Sequence, residues 1–442
     1  MEPASLLEQI RFGYGPRRDA PQGSGGVDVD RVLAQLTARD PSGAAWDQPA
    51  LADRLALIAA SVAQKKATGA IDAATGAALK QMVADDSDTY LARPVFAEAG
   101  FVERLVNLWA NRITVSNVAG KLARYVLSFR DDAIRPHIAG RYGDMVQAAL
   151  WHPGMQLYLT QANSFGPQSE AGLRRNKGLN ENLAREFLEL HTMRDGYTQD
   201  DVTQLAWLLA GMMSDDKGMR VDPRRVQPGR KRILGEDYDD SDPVAEINRL
   251  VQTVARRPET SQNVAFTLAR HFVADDPPAD LVAALAATYL AHDTALTPVY
   301  RVLLAHPAAQ SPDRTKLRSP HEYAAAALRL TGLSPADPVW PKLTRKFPLS
   351  LAAMGQAPFK ALRPDGWPEV AKGWMTPPML AARVDWAIDI ARQTTGQINP
   401  VAMVDTALGP YASPLLRQSA GRAEQRWEGL VVLLASPEFS KR

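Results

Sequence analysis

The chain has 442 residues, 45% hydrophobic and 23% charged, the balance of an ordinary globular protein, which excludes a disordered or collagen-like chain. Lys plus Arg total 51 and Asp plus Glu 49, a formal net charge of +2, so no global electrostatic pull toward nucleic acid is expected. The absence of cysteine excludes structural disulfides, thiolate nucleophiles, zinc ribbons and iron–sulfur clusters.

The stretch from Met1 to Arg11 has neither a basic start nor an apolar run and does not read as a signal peptide. The most apolar run, Leu55 to Ala63, is too short to span a bilayer, so no integral membrane segment is expected. From there the period is helical. Phe101, Leu105, Leu108 and Trp109 recur at three- and four-residue steps, while Arg104, Asn107 and Asn111 fall on another face. The pattern returns at Leu183, Phe187 and Leu190, at Leu205, Leu208 and Leu209, and at Leu281, Leu285 and Leu290. His152-Pro153, His306-Pro307 and Ser436-Pro437 share one punctuation: a helix ends, a polar residue follows, and proline opens the next helix. The fold class is therefore all-α, an irregular multi-helix array with at most one small β-hairpin. That hairpin would pair Met219–Asp222 with Lys231–Leu234 around Pro228-Gly229.

Two long polar segments interrupt the helices. Thr160–Gly178 carries Arg174, Arg175 and Lys177; Lys217–Pro243 begins basic and ends acidic. The second marks a boundary, giving an N-terminal helical half (1–215), a charged loop or hairpin (216–243) and a C-terminal helical half (244–442). Both loops are candidate docking surfaces.

The most informative stretch runs from Asn180 to Thr192. On a regular helix Asn182, Glu186 and Glu189 share a stripe, and Arg185 can pair with Glu189 four residues on. His191 lies nearer the apolar side. Two carboxylates with a nearby histidine suit general acid–base work or a divalent cation, with Glu186, Glu189 and His191 as the catalytic candidates. Asn180, Glu181, Asn182, Arg185 and Tyr197 form the accompanying binding or structural cluster. The structural alternative is a buried salt-bridge network, from which removing Arg185 would cost roughly 3–5 kcal/mol. No standard metal motif is present, and the metal and cofactor stay undefined; His137, His152, His191 and His271 with Glu186 could converge only through the fold. Thr198 with Asp201 reads as a capping box. Asp365-Gly366-Trp367-Pro368 reads as a turn, with Trp374 and Trp386 either core residues or a carbohydrate-stacking surface.

Taken together, these stretches resemble a bacterial family, domain of unknown function 1800 (DUF1800). The matching residues include Arg11 to Gly15, Asn107 to Asn111, Ile134 to His137, Asn180 to Thr192, Gly196 to Val202, Leu268 to Phe272, Leu317 to Pro320, Asp365 to Pro368 and Ser436 to Phe439. The resemblance implies a helical fold. It also implies a partnership with a sulfatase-like exported family, domain of unknown function 1501 (DUF1501), beside which members are often encoded. This chain departs from the family pattern at Arg112, where relatives tend to have His, at Thr160-Gln161, at Val226-Gln227 and at Ala210-Gly211-Met212.

Two functions follow. In the first, favoured by the sequence, the chain is an accessory protein holding a partner on its helical surfaces and loops. In the second, it is a carboxylate-based, metal-assisted or metal-free hydrolase or lyase acting on an extracellular polymer. The expected location is the cytoplasm, or the periplasm by export in complex with a signal-bearing partner.

Overall fold

The computed structural model describes residues 4–18, 23, 25–38, 46, 48–117, 120–215, 218–394 and 399–442. It is 64% helical, and the described residues form 23 α-helices. The periodic positions become the buried faces. The helix Gly100–Arg112 buries Phe101, Leu105, Leu108 and Trp109. In Ala279–Ala291 the core positions are Leu281, Leu285 and Tyr289, and Leu290 turns to solvent, because steps of four keep one side of the helix inward.

The repeated punctuation has a common structural cause. The His152 ring accepts a hydrogen bond from Gly154 N at 3.0 Å, the His306 ring from Ala308 N at 3.2 Å, and Ser436 Oγ from Phe439 N at 3.1 Å. Each is an N-cap, and the proline behind it fills the first helical position, where no amide hydrogen is needed. The capping box is also present: Thr198 N donates to Asp201 Oδ2 at 2.8 Å and Asp201 N to Thr198 Oγ1 at 3.1 Å.

The strand pairing differs from the sequence expectation. Two hairpins form, β1 (Met212–Asp215) with β2 (Gly218–Val221), and β3 (Lys231–Ile233) with β4 (Glu236–Tyr238). Gly218–Val221 thus pairs backward and Lys231–Ile233 forward, with Pro228-Gly229 lying between the hairpins. The second turn places Leu234 at φ 52° and Gly235 at φ 87°, the left-handed pair that a tight hairpin requires. Leucine is a poor residue there, which hid the turn; a hydrogen bond of 2.6 Å from Leu234 N to Asp201 Oδ1 holds it. Asp216 and Lys217 lie outside the described residues.

The apolar interior forms two clusters. The first runs from Leu7 through Phe101–Trp109, Leu183–Leu209 and Ile233 to Ala309. The second joins Tyr14 and Tyr90–Phe96 to Tyr323–Phe439. Ile233 and Tyr238, from the 216–243 segment, belong to the first cluster, which takes residues from both sides of that segment. Distant segments are tied by buried arginines. Arg11 donates to the carbonyls of Ala309 and Ser311, both at 2.7 Å, and Asp313 at 2.5 Å. Arg329 donates to the carbonyls of Gly15, Val95 and Ala97 at 2.8–3.0 Å.

Candidate functional site

The Asn180–His191 stretch is built in two parts, an α-helix (Asn182–Glu186) and a π-helical turn (Phe187–His191). Wider turns of this kind often sit at functional sites. Thr192 Oγ1 donates to Phe187 O at 2.6 Å, and the amides of Met193 and Arg194 share Leu188 O, closing the turn. Arg194 then takes φ 73°, a left-handed conformation that an L residue with a Cβ adopts only at a cost.

Much of the polar cluster is structural. The Asn180 amide donates to Leu159 O and Thr160 O, both at 3.0 Å, and its Oδ1 accepts from Asn182 N at 3.0 Å. Glu181 accepts from Arg185 at 3.1 Å, Gln199 at 3.0 Å and Thr203 at 2.8 Å, clasping this helix to the next. The expected Arg185–Glu189 pair is therefore replaced by Arg185–Glu181. The expected burial is replaced by partial exposure, with side chains 40% and 31% accessible. Asn182 is exposed.

Glu186 and Glu189 stand apart from that clasp. Glu189 is exposed and accepts a hydrogen bond from the Tyr197 hydroxyl. Glu186 is half-buried; burial, and then the charge of Glu189, push its carboxyl above the ordinary value. Arg185 offsets part of that shift, and Asp365 adds to it. His191 is buried, and its carbonyl accepts from the Tyr142 hydroxyl at 2.6 Å. Burial and the nearby Arg112 push the ring down to about 3, so it is neutral and does not join the two carboxylates at the surface.

Glu189, Leu190 and Arg194 line a cleft of about 770 Å³. Its other walls bring three further cations, Arg112, Arg270 and Arg363. Arg270 and Arg194 lie 4.2 and 5.5 Å from the Phe266 ring centre. Arg112 donates to Asn263 Oδ1 at 3.0 Å, and its buried Nε has no hydrogen-bond partner among the described residues. The far wall is the Asp365–Glu369 turn with Trp367 and Trp374, whose rings are 6.1 Å apart. Trp386 instead packs in the second core beside Tyr323.

The turn is fixed by one side chain. Asn111 Oδ1 accepts from Trp367 N at 2.7 Å, and its Nδ2 donates to Trp367 O and to Glu369 Oε1, both at 3.0 Å. Gly366 has φ 80°, and a Cβ there would meet Asn111 O at 2.2 Å, so only glycine passes this close.

Behind the turn lies a second, inner chamber of about 90 Å³, which shares Asn111, Trp367, Pro368, Glu369 and Trp374 with the cleft. Segments far apart in sequence meet there: Tyr14, Asn107, Arg130, His271, Lys316, Glu322 and Arg442. Glu322 accepts from Arg104 and Arg442, both at 3.1 Å, and from Ser319 N at 2.9 Å. Burial would raise its carboxyl, but Arg104, Arg442 and His271 overcome this and hold it well below the ordinary range. Glu322 and Glu369 stand in no catalytic or ligand-binding motif that marks them in the sequence. Arg104, Asn107 and Asn111 were visible only as the polar side of an amphipathic helix.

The two polar loops pack on each other. Gly166 N donates to Arg225 O at 2.8 Å and Gln168 N to Gln227 Oε1 at 3.0 Å. This places Arg175 and Arg225 over the Phe165 ring at 5.9 and 4.4 Å. Burial, and the neighbouring Arg175, Arg220 and Arg224, hold the Arg225 guanidinium below its ordinary value against the pull of Asp222.

The histidines do not converge. His152 is a cap, His191 and His271 sit in different surroundings, and among the described residues no three His, Asp or Glu side chains form a metal-holding group. Nor, among the described residues, is any helix long and apolar enough to cross a membrane.

Residues 9–441 match the family described as "Protein of unknown function (DUF1800)", and the chain belongs to it. No curated protein and no solved structure matches it.

Proposed function

We propose that the cleft is the active site of a carboxylate-based hydrolase acting on an acidic polysaccharide. The observation that carries this reading is Glu189 opening onto a cleft with Glu186 held above its ordinary value, while Arg185 makes its ion pair with Glu181. Glu189, on the cleft wall, takes a proton from the attacking water, and Glu186, beside it and outside the cleft lining, is the proposed proton donor to the leaving oxygen. Arg112, Arg194 and Arg270 bind acidic substituents, and Trp367, backed by the buried Trp374, offers a flat face to a sugar ring. The test is release of reducing ends from a panel of sulfated and uronate polysaccharides. Glu186→Gln and Glu189→Gln should each abolish it with binding retained. Absence of binding to every member of the panel would remove the reading.

A second reading keeps the accessory role, with the sulfatase-like exported protein as partner. It is supported by the basic face that Arg175, Arg220, Arg224 and Arg225 form. Copurification with that partner, lost on Arg224→Glu and Arg175→Glu, would favour it over the enzyme.

A further inference from the structure

The inner chamber carries more positive charge than its own carboxylates neutralise. Arg104, Arg130, Lys316 and Arg442 face or adjoin it, against Glu322, Glu369 and the Lys316 partner Asp275. Arg130 has no carboxylate hydrogen bond among the described residues; it donates to Asn107 Oδ1 and lies 4.9 Å from the Tyr90 ring centre. Arg318, buried one layer back, is spent on the Phe439 carbonyl and ring. Desolvation holds the Arg104 guanidinium down to about 10 and also lowers Arg130, the response expected of crowded, buried cations.

The hydrogen bonds show how that charge is arranged. Glu322 is saturated by Arg104, Arg442 and Ser319 N, so it acts as a strut between two guanidinium groups and has little capacity left to repel an anion. Glu369 is likewise engaged, by His271 and Asn111. Arg442 is only 3% accessible, lines the chamber, and its Nη1 is buried with no hydrogen-bond partner among the described residues. A buried guanidinium nitrogen without an acceptor is costly, and an oxyanion in the chamber would supply an acceptor together with the charge that balances the cations. The chamber exceeds the roughly 10–15 Å³ one water needs, and it is too small for a sugar ring.

We propose that the inner chamber is a binding site for one small oxyanion of the sulfate or phosphate type, held between Arg442 and Arg130. Tyr14 and Ser319 line the same space and supply neutral donors. The entry is the wall shared with the cleft, where Trp367 and Trp374 stand. The site does not depend on the hydrolytic chemistry proposed for Glu186 and Glu189.

Titration of the full chain with sulfate, phosphate and chloride at constant ionic strength, followed by calorimetry and thermal unfolding, tests it. Sulfate or phosphate should bind saturably at one site and raise the melting temperature, and chloride should not. Arg442→Gln should weaken binding about tenfold or more, whereas Arg363→Gln in the cleft should leave it unchanged. Should Arg442→Gln fail to fold, wild-type crystals soaked in selenate decide: an anomalous peak between Arg442 and Arg130 supports the site. A peak confined to the cleft, no peak at all, or sulfate binding unaltered in a folded Arg442→Gln variant overturns it. Loss of polysaccharide cleavage in Glu189→Gln with anion binding intact would separate the two sites.

Discussion

His271 Nδ1 lies 2.7 Å from Glu369 Oε2, and its Nε2 lies 2.8 Å from the Arg104 guanidinium. Arginine can only donate, so Nε2 accepts and Nδ1 carries the proton that faces Glu369. The ring is thus fixed as one neutral tautomer between a cation and an anion.

Burial first, and then Arg104, push His271 down to about 4 despite Glu369; burial does the same to His321, and burial with Arg112 takes His191 to about 3. An unfolded histidine titrates near 6.5, so on acidification the unfolded chain takes up protons first. The contribution of these rings should be constant above about pH 7 and fall between about pH 6.5 and 4. The slope is about 1.4 kcal/mol per pH unit for each ring involved. Urea unfolding at pH 7, 6, 5 and 4 measures this; an unchanged free energy from pH 7 to 5 would contradict the burial of these rings.

Arg185→Ala should be mild, within about 1 kcal/mol in chemical denaturation, because the Arg185–Glu181 pair is half-exposed. This reverses the cost expected of a buried network. A loss of several kcal/mol would mean that Arg185 is sealed in the core after all.

Gly366→Ala should destabilise by about 2–4 kcal/mol, since φ 80° and a contact of 2.2 Å with Asn111 O must both be relieved. Asn111→Ala should loosen the same turn by removing its three hydrogen bonds. Faster hydrogen exchange at Trp367 N in both variants, with the Asn180–His191 helix unchanged, is the expected signature.

Arg194→Gly should separate stability from binding. Relief of the left-handed backbone at φ 73° adds up to about 1 kcal/mol of stability. Loss of a cleft cation should weaken binding of an acidic saccharide. Equal losses in both measurements would assign Arg194 a structural role.

The helical class was legible because the apolar period of Phe101–Trp109 is local, as are the caps at His152, His306 and Ser436. The hairpins were not, since a leucine at φ 52° is held by Asp201 from another element and carries no turn signal of its own. Glu186 and Glu189 were legible as paired carboxylates, but the partner of Arg185 was not, because Glu181 and Glu189 are both four residues away from it. The inner chamber was illegible for a different reason. Tyr14, Arg104, His271, Glu322, Glu369 and Arg442 come from six segments, and no local spacing relates one to another.

Arg11 reaches carbonyls about 300 positions downstream, at Ala309, Ser311 and Asp313. On a ribosome adding roughly 5–20 residues per second, that side chain waits about 15–60 s for its acceptors to be made. The Leu6–Arg11 helix meets Asp28 and Arg31 early, through Glu8, but the contacts of Arg11 close only after about 300 further residues are made. Nascent chains stalled before residue 309 should leave Arg11 accessible, and the completed chain should not.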